Sequence, residues 1–294
     1  MPVRFRPFSA CRAQYYGTVR GVQGGGRGVA RMKKRVAACL AALFACAAAF
    51  CAFQLGGTLL EYRAGRREYA VLAQYSPVQA QNGAQAADGE TGGQLQADFE
   101  ALRQIDENVV AWLYGPETPV NYPVVQAADN EYYLTHMFGK KKNSAGAIFV
   151  DAGCSPDFSD MHTILYGHHM KNGTMFHDLL DYDDESFYQS HKTFKFDTIY
   201  KGGQGTYEIV AVGYSRIYPE NSGEFKYYQY AGITSEEDFN EFVDGVKGLS
   251  LYDTGVEPEY GDQLVTLSTC TNEDEDGRFF VVGRRTDAKQ VTPQ

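Results

Sequence analysis

Residues 36–53 read VAACLAALFACAAAFCAF, 18 apolar residues without a charge or a proline. In hydrocarbon a segment must satisfy its own backbone N–H and C=O groups, so such a run has one conformation available to it, a helix. Carried on through QLGGTLL to residue 60, it reaches about 37 Å at 1.5 Å per residue, enough to cross a hydrocarbon core of roughly 30 Å. Lys33, Lys34 and Arg35 abut its start, which by the positive-inside rule keeps the amino terminus in the cytoplasm and exports the carboxyl-terminal part of the chain. Arg63, Arg66 and Arg67 on the far side pull against that orientation. The small residues from Ala47 to Ala52 would suit a cleaved signal peptide. The apolar run exceeds the usual length of about 7–15 residues, however, and a retained single-pass anchor over 36–60 is the expectation.

The charges divide in the same place. Residues 1–35 carry nine of the 27 Arg and Lys and no Asp or Glu, leaving 18 basic against 37 acidic residues in the remainder. A basic cytoplasmic tail and an acidic exported body face different environments. A net charge of −10 argues against nucleic acid as a partner. Residues 1–31 are rich in Gly and Arg without periodicity, and MKKR at Met32 looks like a natural start. They read as a disordered tail or as a start assigned too early.

Of six cysteines, Cys11 lies in the tail and Cys39, Cys46 and Cys51 in the apolar run, which leaves Cys154 and Cys270 for the exported part. A disulfide-stabilised secreted domain carries more. Either these two pair, or at least one is a thiol kept for its chemistry; the second reading is preferred.

Residues 61–75 are charged and helix-compatible, a stalk, and SPVQAQNGAQAADGETGGQ at 76–94 reads as a linker. One domain is expected over 95–288, with 289–294 as a tail. In LQADFEALRQIDENVVAWL, Phe99, Leu102 and Ile105 recur at helical spacing, followed by apolar Val109, Val110 and Trp112. Short apolar or alternating runs come next: VNYPVVQ, GAIFVD, HTILYGH, TFKFDTIY, GTYEIVAVGYSRIY, QLVTLSTC and RFFVVGRR, with YKGGQGTY as a hairpin turn. The aromatic share of 14% suits strands. The domain is therefore mostly β, a sandwich or a barrel. Two helices interrupt it, a short one in GTMFHDLLDY and a capped, amphipathic one in TSEEDFNEFVDGVKGL with Phe239, Phe242 and Val246 on one face.

Cys270 ends the strand run QLVTLSTC just before a polar loop, a position a substrate can reach; the alternative is a buried small apolar residue. A thiol near pKa 8.5 needs a base or a charged partner to act as a nucleophile. His168 ends another strand after Gly167, whereas His169 beside it would point the other way if the strand continued. A metal cluster of Cys154, His162, His168, His169 and His177 matches no standard zinc spacing. Arg278 opens the next strand, so in a hairpin it would face Cys270 across the TNEDEDG loop and stabilise an oxyanion. It would otherwise be an exposed arginine paired with Glu273, Asp274, Glu275 or Asp276.

TLSTC followed by an arginine opening RFFVV, with YGHHM upstream, resembles the sortases, membrane-anchored cysteine transpeptidases of mainly Gram-positive bacteria. The likeness runs from about residue 95 to 285 through NYPVVQAADNEYYL, GAIFVD, DFSDMHTILYGHHMKNGTMF and TSEEDFNEFV. The helical lead-in and the helix before the nucleophile strand point to class B. The resemblance implies a closed eight-stranded β-barrel, Cys270 as nucleophile, His168 as the catalytic histidine and Arg278 as the oxyanion or positioning arginine. Ser268 and Thr269 would line the substrate groove, His169 would support the site from behind, and Cys154 has no counterpart. No metal or cofactor is implied; class A members use calcium in the corresponding helix-bearing loop, and the class B likeness argues against it here.

The implied reaction cleaves a carboxyl-terminal sorting motif of NPxTx type after threonine, through a thioester. The protein is then passed to an amine of a peptidoglycan precursor or to a pilin lysine. An LPxTG-like preference, pilus polymerisation, an exported cysteine endopeptidase and a non-enzymatic surface-binding barrel are the alternatives. The site would lie outside the cell membrane.

Overall fold

The structure, a computed structural model, describes residues 26–77, 97–271, 274 and 276–287. Residues 1–25 with Cys11, all of the expected linker from residue 78, Glu273, Glu275 and the tail 289–294 lie outside these residues. The chain divides into two units, Met1–Gly57 and Thr58–Gln294. The first contains most of a helix, Gly26–Leu72. The segment Arg35–Tyr75 includes a stretch long and apolar enough to cross a membrane. Its side chains Leu43, Phe44, Phe50 and Phe53 are exposed.

In the second unit, eight strands close into a barrel. They are β1 (Val109–Tyr114), β2 (Asn121–Gln126), β3 (Ile148–Val150), β4 (His162–Tyr166), β7 (Thr193–Thr198), β8 (Gln204–Arg216), β9 (Leu264–Cys270) and β10 (Gly277–Arg285). A two-stranded hairpin, β5 (His169–Met170) and β6 (Thr174–Met175), stands apart. The barrel order is β1-β2-β3-β4-β9-β10-β8-β7. Parallel pairing occurs between β2 and β3 and between β4 and β9, and the other neighbours are antiparallel. The expected closed eight-stranded barrel is what forms, and the sandwich is excluded.

Two expected helices change. The pattern around residue 99 is helical only over Phe99–Ile105, capped by the Asp98 carboxylate on the Ala101 N–H at 3.0 Å. Val109, Val110 and Trp112 belong instead to β1. β-Branched valines favour a strand, and here Trp112 is buried with its indole N–H donating to Asn121 Oδ1 at 2.7 Å. In GTMFHDLLDY, Thr174 and Met175 pair with the strand after His168, and only His177–Asp183 winds, as a 3-10 helix. Gly173 at φ +77° makes the turn that a continuous helix would forbid.

Strand β10 explains its own unbroken apolar run. Phe279 and Val281 face the barrel interior, while Phe280 and Val282 face outward beneath the helix Glu236–Gly248. That helix is capped by Ser235, whose hydroxyl accepts from the Asp238 N–H at 3.1 Å, and three acidic residues occupy its first turn. Phe239, Phe242 and Val246 are buried against the barrel, as their spacing predicts. Each such side chain contributes about 1.5–3 kcal/mol by burial. The helix lies in the connection from β8 to β9, so it braces the outer face of the strand that ends in Cys270.

Further polar contacts hold that face. His162 of β4 is fully buried between the Tyr230 carbonyl, 2.7 Å from Nδ1, and the Thr266 hydroxyl of β9, 2.7 Å from Nε2. The carbonyl can only accept, so Nδ1 carries the hydrogen and Nε2 accepts from Thr266. The carboxyl-terminal part of the first helix also joins the core: Tyr69 and Leu72 are buried, and Tyr69 meets Tyr122 edge-on at 5.3 Å between ring centres. The charged stretch expected to be a stalk thus packs on the barrel.

Burial lowers the His162 pKa from 6.5 to about 4. Between those values the unfolded chain binds a proton that the folded chain refuses. The His162 contribution is therefore complete above pH 6.5, falls as the pH drops, and levels off below about 4 after a loss of about 3 kcal/mol. In chemical denaturation, the stability gap between wild type and His162→Gln should narrow by about that amount from pH 7 to pH 4. An unchanged gap would refute the buried neutral histidine. Gly167 is a second test. A Cβ there would overlap Ile148 Cδ1 and stand 2.8 Å from Phe176 Cδ2. Gly167→Ala should therefore lower stability by about 1–3 kcal/mol, read as a fall in Tm.

Candidate active site

The three residues that sequence reasoning put forward arrive from three strand ends. In the β9–β10 ladder Cys270 is paired directly with Arg278. Strand β4 runs parallel to β9 with Tyr166 opposite Ser268, so His168, two residues beyond, emerges at the same end of the barrel as Cys270. Side chains two residues apart share a face of a sheet. Cys270, Ser268 and Thr266 therefore lie on the outer face of β9, Arg278 on that of β10 and Tyr166 on that of β4. The chain leaves the ladder at Gly167, whose N–H still donates to the Ser268 carbonyl at 3.2 Å.

Cys270, His168 and Arg278 line one cleft enclosing roughly 700 Å³ of space open to solvent, with Leu134, Tyr227 and Tyr228 among its walls. Cys270 and His168 are half-buried, reachable yet partly shielded from water. The His168 ring is oriented by a 2.7 Å hydrogen bond from Nε2 to the Leu134 carbonyl. Because that oxygen only accepts, Nε2 carries the hydrogen and Nδ1 is the nitrogen available to exchange a proton. An Arg278 Nη1 donates to the Gly277 carbonyl at 2.9 Å, which folds the side chain back along its strand. Of the acidic loop residues, Asp274 forms its ion pair with Arg216, at 3.0 Å.

Ser268 and Thr269 also border the cleft but are only 1% and 2% exposed. The Ser268 hydroxyl is 2.6 Å from that of Tyr227, and the Thr269 hydroxyl donates to the Gly167 carbonyl at 2.7 Å. Their hydroxyls hold the strand ends together. Tyr227 is fully buried, and burial pushes its phenol up to about 12 although the Ser268 bond and the nearby Arg278 guanidinium pull it down. Sequence reasoning missed Tyr227 and the Leu134 carbonyl. The aromatic cluster FKYYQY was a visible signal for the first, whereas a backbone acceptor has no side-chain signature.

His169 turns away, as adjacent strand positions do. It borders a neighbouring cleft with Arg216, Thr271 and Asp274, its ring centre 4.8 Å from that of His177. Burial lowers its pKa, His177 adds to that, and a hydrogen bond to the Cys270 backbone opposes it. Cys154 and Cys270 are both free thiols. Burial pushes the Cys154 thiol up to about 12, leaving it without nucleophilic character. Among the described residues no group of three His, Cys, Asp or Glu is arranged to hold a metal ion. The five residues weighed as ligands are dispersed, His162 into the wall under the outer helix and His169 and His177 behind the cleft.

Known proteins resemble this chain in both sequence and fold. Residues 113–286 match the family model of the sortase domain. Sortase B of Listeria monocytogenes is 35% identical over 201 residues, covering 68% of this chain and 78% of that protein. The crystal structure of Bacillus anthracis sortase B in complex with AAEK1 superposes with a TM-score of 0.61 at 30% identity, covering 77% of this chain and 98% of that one. A Staphylococcus aureus sortase B–substrate complex gives a TM-score of 0.63 at 28% identity, covering 78% and 100%. Likeness of that extent in both sequence and fold makes this chain a member of the sortase family, a cysteine transpeptidase of class B.

Proposed function

We propose that Cys270 is the nucleophile of this transpeptidase, His168 its general acid and base, and Arg278 the group that stabilises the oxyanion. The observation that carries the reading is the direct cross-strand pairing of Cys270 with Arg278 in a cleft shared with His168. The Cys270 thiolate adds to the carbonyl carbon after threonine in an NPxTx-like sorting motif, and the charge passes to the carbonyl oxygen. The Arg278 guanidinium, permanently charged, meets that oxygen. As the tetrahedral intermediate collapses, the C–N bond breaks and His168 gives its proton to the departing amine. A thioester remains. An acceptor amine, from a peptidoglycan precursor in the reading favoured here, then attacks it and gives a proton to His168. The C–S bond breaks and the thiolate is regenerated. Ser268 and Thr269 form the wall of the substrate groove, and His169 steadies the Cys270 backbone from behind.

The apolar helix supports a membrane anchor over 36–60, a basic cytoplasmic tail before it and an exported catalytic domain after it. Anchoring would confine enzyme and membrane-borne substrates together and raise their effective concentration.

The decisive experiment incubates the full chain in detergent with quenched NPxTx and LPxTG peptides and an added amine, followed by mass spectrometry. A peptide–amine product that disappears in Cys270→Ala is expected, with NPxTx preferred. Free acid alone, at saturating amine, would support an endopeptidase instead. No Cys270-dependent product from any peptide would leave the binding-barrel reading. Arg278→Ala should lower kcat by about 10²–10³-fold, the usual effect of removing one oxyanion donor. A loss confined to KM would instead assign Arg278 to ground-state binding.

A further inference from the structure

The ring of His168 is held through a loop that is itself tied down from outside the barrel. Leu134, whose carbonyl accepts from His168 Nε2, belongs to a loop closed by the Ala147 N–H on the Tyr133 carbonyl at 2.9 Å and the Asn143 N–H on the Thr135 carbonyl at 2.9 Å. Gly146 lies at the centre of this contact. At φ +60° it passes so close that a Cβ there would meet the Tyr133 carbonyl at 2.5 Å, the Leu134 carbonyl at 3.0 Å and His168 Cδ2 at 3.1 Å. The Tyr69 hydroxyl donates to the Gly146 carbonyl at 2.8 Å, across 77 residues of sequence. Two neighbours of Tyr69 strengthen the junction. Arg66 donates to the Asn172 carbonyl at 2.7 Å, in the hairpin turn after His168, and the Glu61 carbonyl accepts from the Asn143 amide at 3.2 Å.

We propose that Tyr69 is a positioning residue for His168, its hydroxyl clamping the Gly146 loop so that the Leu134 carbonyl holds the imidazole with hydrogen on Nε2. The inference rests on the catalytic reading of His168. It gives residues 58–72, which carry no group in the cleft, a part in setting the histidine's tautomer and orientation. The hydroxyl is the operative group, because the ring alone accounts for the packing against Tyr122.

Tyr69→Phe keeps the ring and removes the clamp. In the full chain in detergent, kcat for the Cys270-dependent product should fall about tenfold with KM unchanged within about twofold, since slight misplacement of a catalytic group acts on the chemical step. In ¹⁵N-histidine-labelled protein, the His168 ring signals, assigned by their absence in His168→Ala, should move from the Nε2–H tautomer toward a mixture. Phe194→Leu, in β7 opposite β4 in the barrel order and buried against Tyr207 away from the cleft, serves as the stability control and should lower Tm while leaving kcat and the tautomer unaltered. Wild-type kcat together with an unchanged tautomer in Tyr69→Phe would overturn the proposal, and so would a fall in kcat without any change at His168. Full turnover by His168→Ala would remove the catalytic role of that histidine. The tautomer signal in Tyr69→Phe would still decide whether the clamp exists.

Discussion

The pairing of β9 with β10 is the constraint on which the rest depends. Cys270 and Arg278 are eight residues apart in sequence and directly opposite in the ladder, so backbone hydrogen bonds set their separation. Since side chains alternate with a period of two, a slip of one residue would send the thiol into the barrel and bring Thr269 out. The register is protected by burial on both sides, Phe279 and Val281 inside and Phe280 and Val282 outside. The apolar core thereby holds a polar site at its rim.

The parallel pairing of β4 with β9 supplies the third group, from a strand about a hundred residues earlier. Its alignment is reinforced by polar contacts that cross between the two strands: His162 to Thr266, Thr269 to the Gly167 carbonyl, and the Gly167 N–H to the Ser268 carbonyl. Buried and satisfied, such bonds act with greater strength than they would in water, and loss of either partner would strand the other. Ser268 is held in turn by Tyr227 from the connection that carries the outer helix. The layer outside the barrel therefore does more than cover apolar surface; it holds the strand that presents the thiol.

Much of the strand content was legible because its cues were local. Alternation marked β7 and β8, a Gly-Gly turn marked their hairpin, and the Ser cap with its acidic first turn marked the outer helix. Errors arose where a local pattern was ambiguous. Val109, Val110 and Trp112 continued an apolar series that reads equally well as helix or strand, and pairing with β2 and β7 decided the matter. In GTMFHDLLDY the turn at Gly173 and the pairing of Met175 with His169 overrode helical spacing. The stretch around Tyr69, charged and helical, looked like a spacer because nothing local reveals which partner its buried tyrosine will find.

By itself the sequence determined which chemistry-bearing side chains stand at strand ends, the thiol, imidazole and guanidinium that the proposed mechanism uses, together with the apolar helix and the division of charge. These are matters of side-chain chemistry and short-range periodicity, and motif likeness sufficed to place them in a family. Only the tertiary structure decided that β4 runs beside β9, that Cys154 is sealed in the core while Cys270 opens on a cleft, and that His169 faces away from His168. It also decided that a backbone carbonyl at Leu134 orients the histidine and that Tyr69 reaches the loop presenting it. The physical reason is that closure of a barrel is a long-range condition. Which strand becomes whose neighbour, and which carbonyl meets which ring, depends on segments about a hundred residues apart satisfying their hydrogen bonds and burial together.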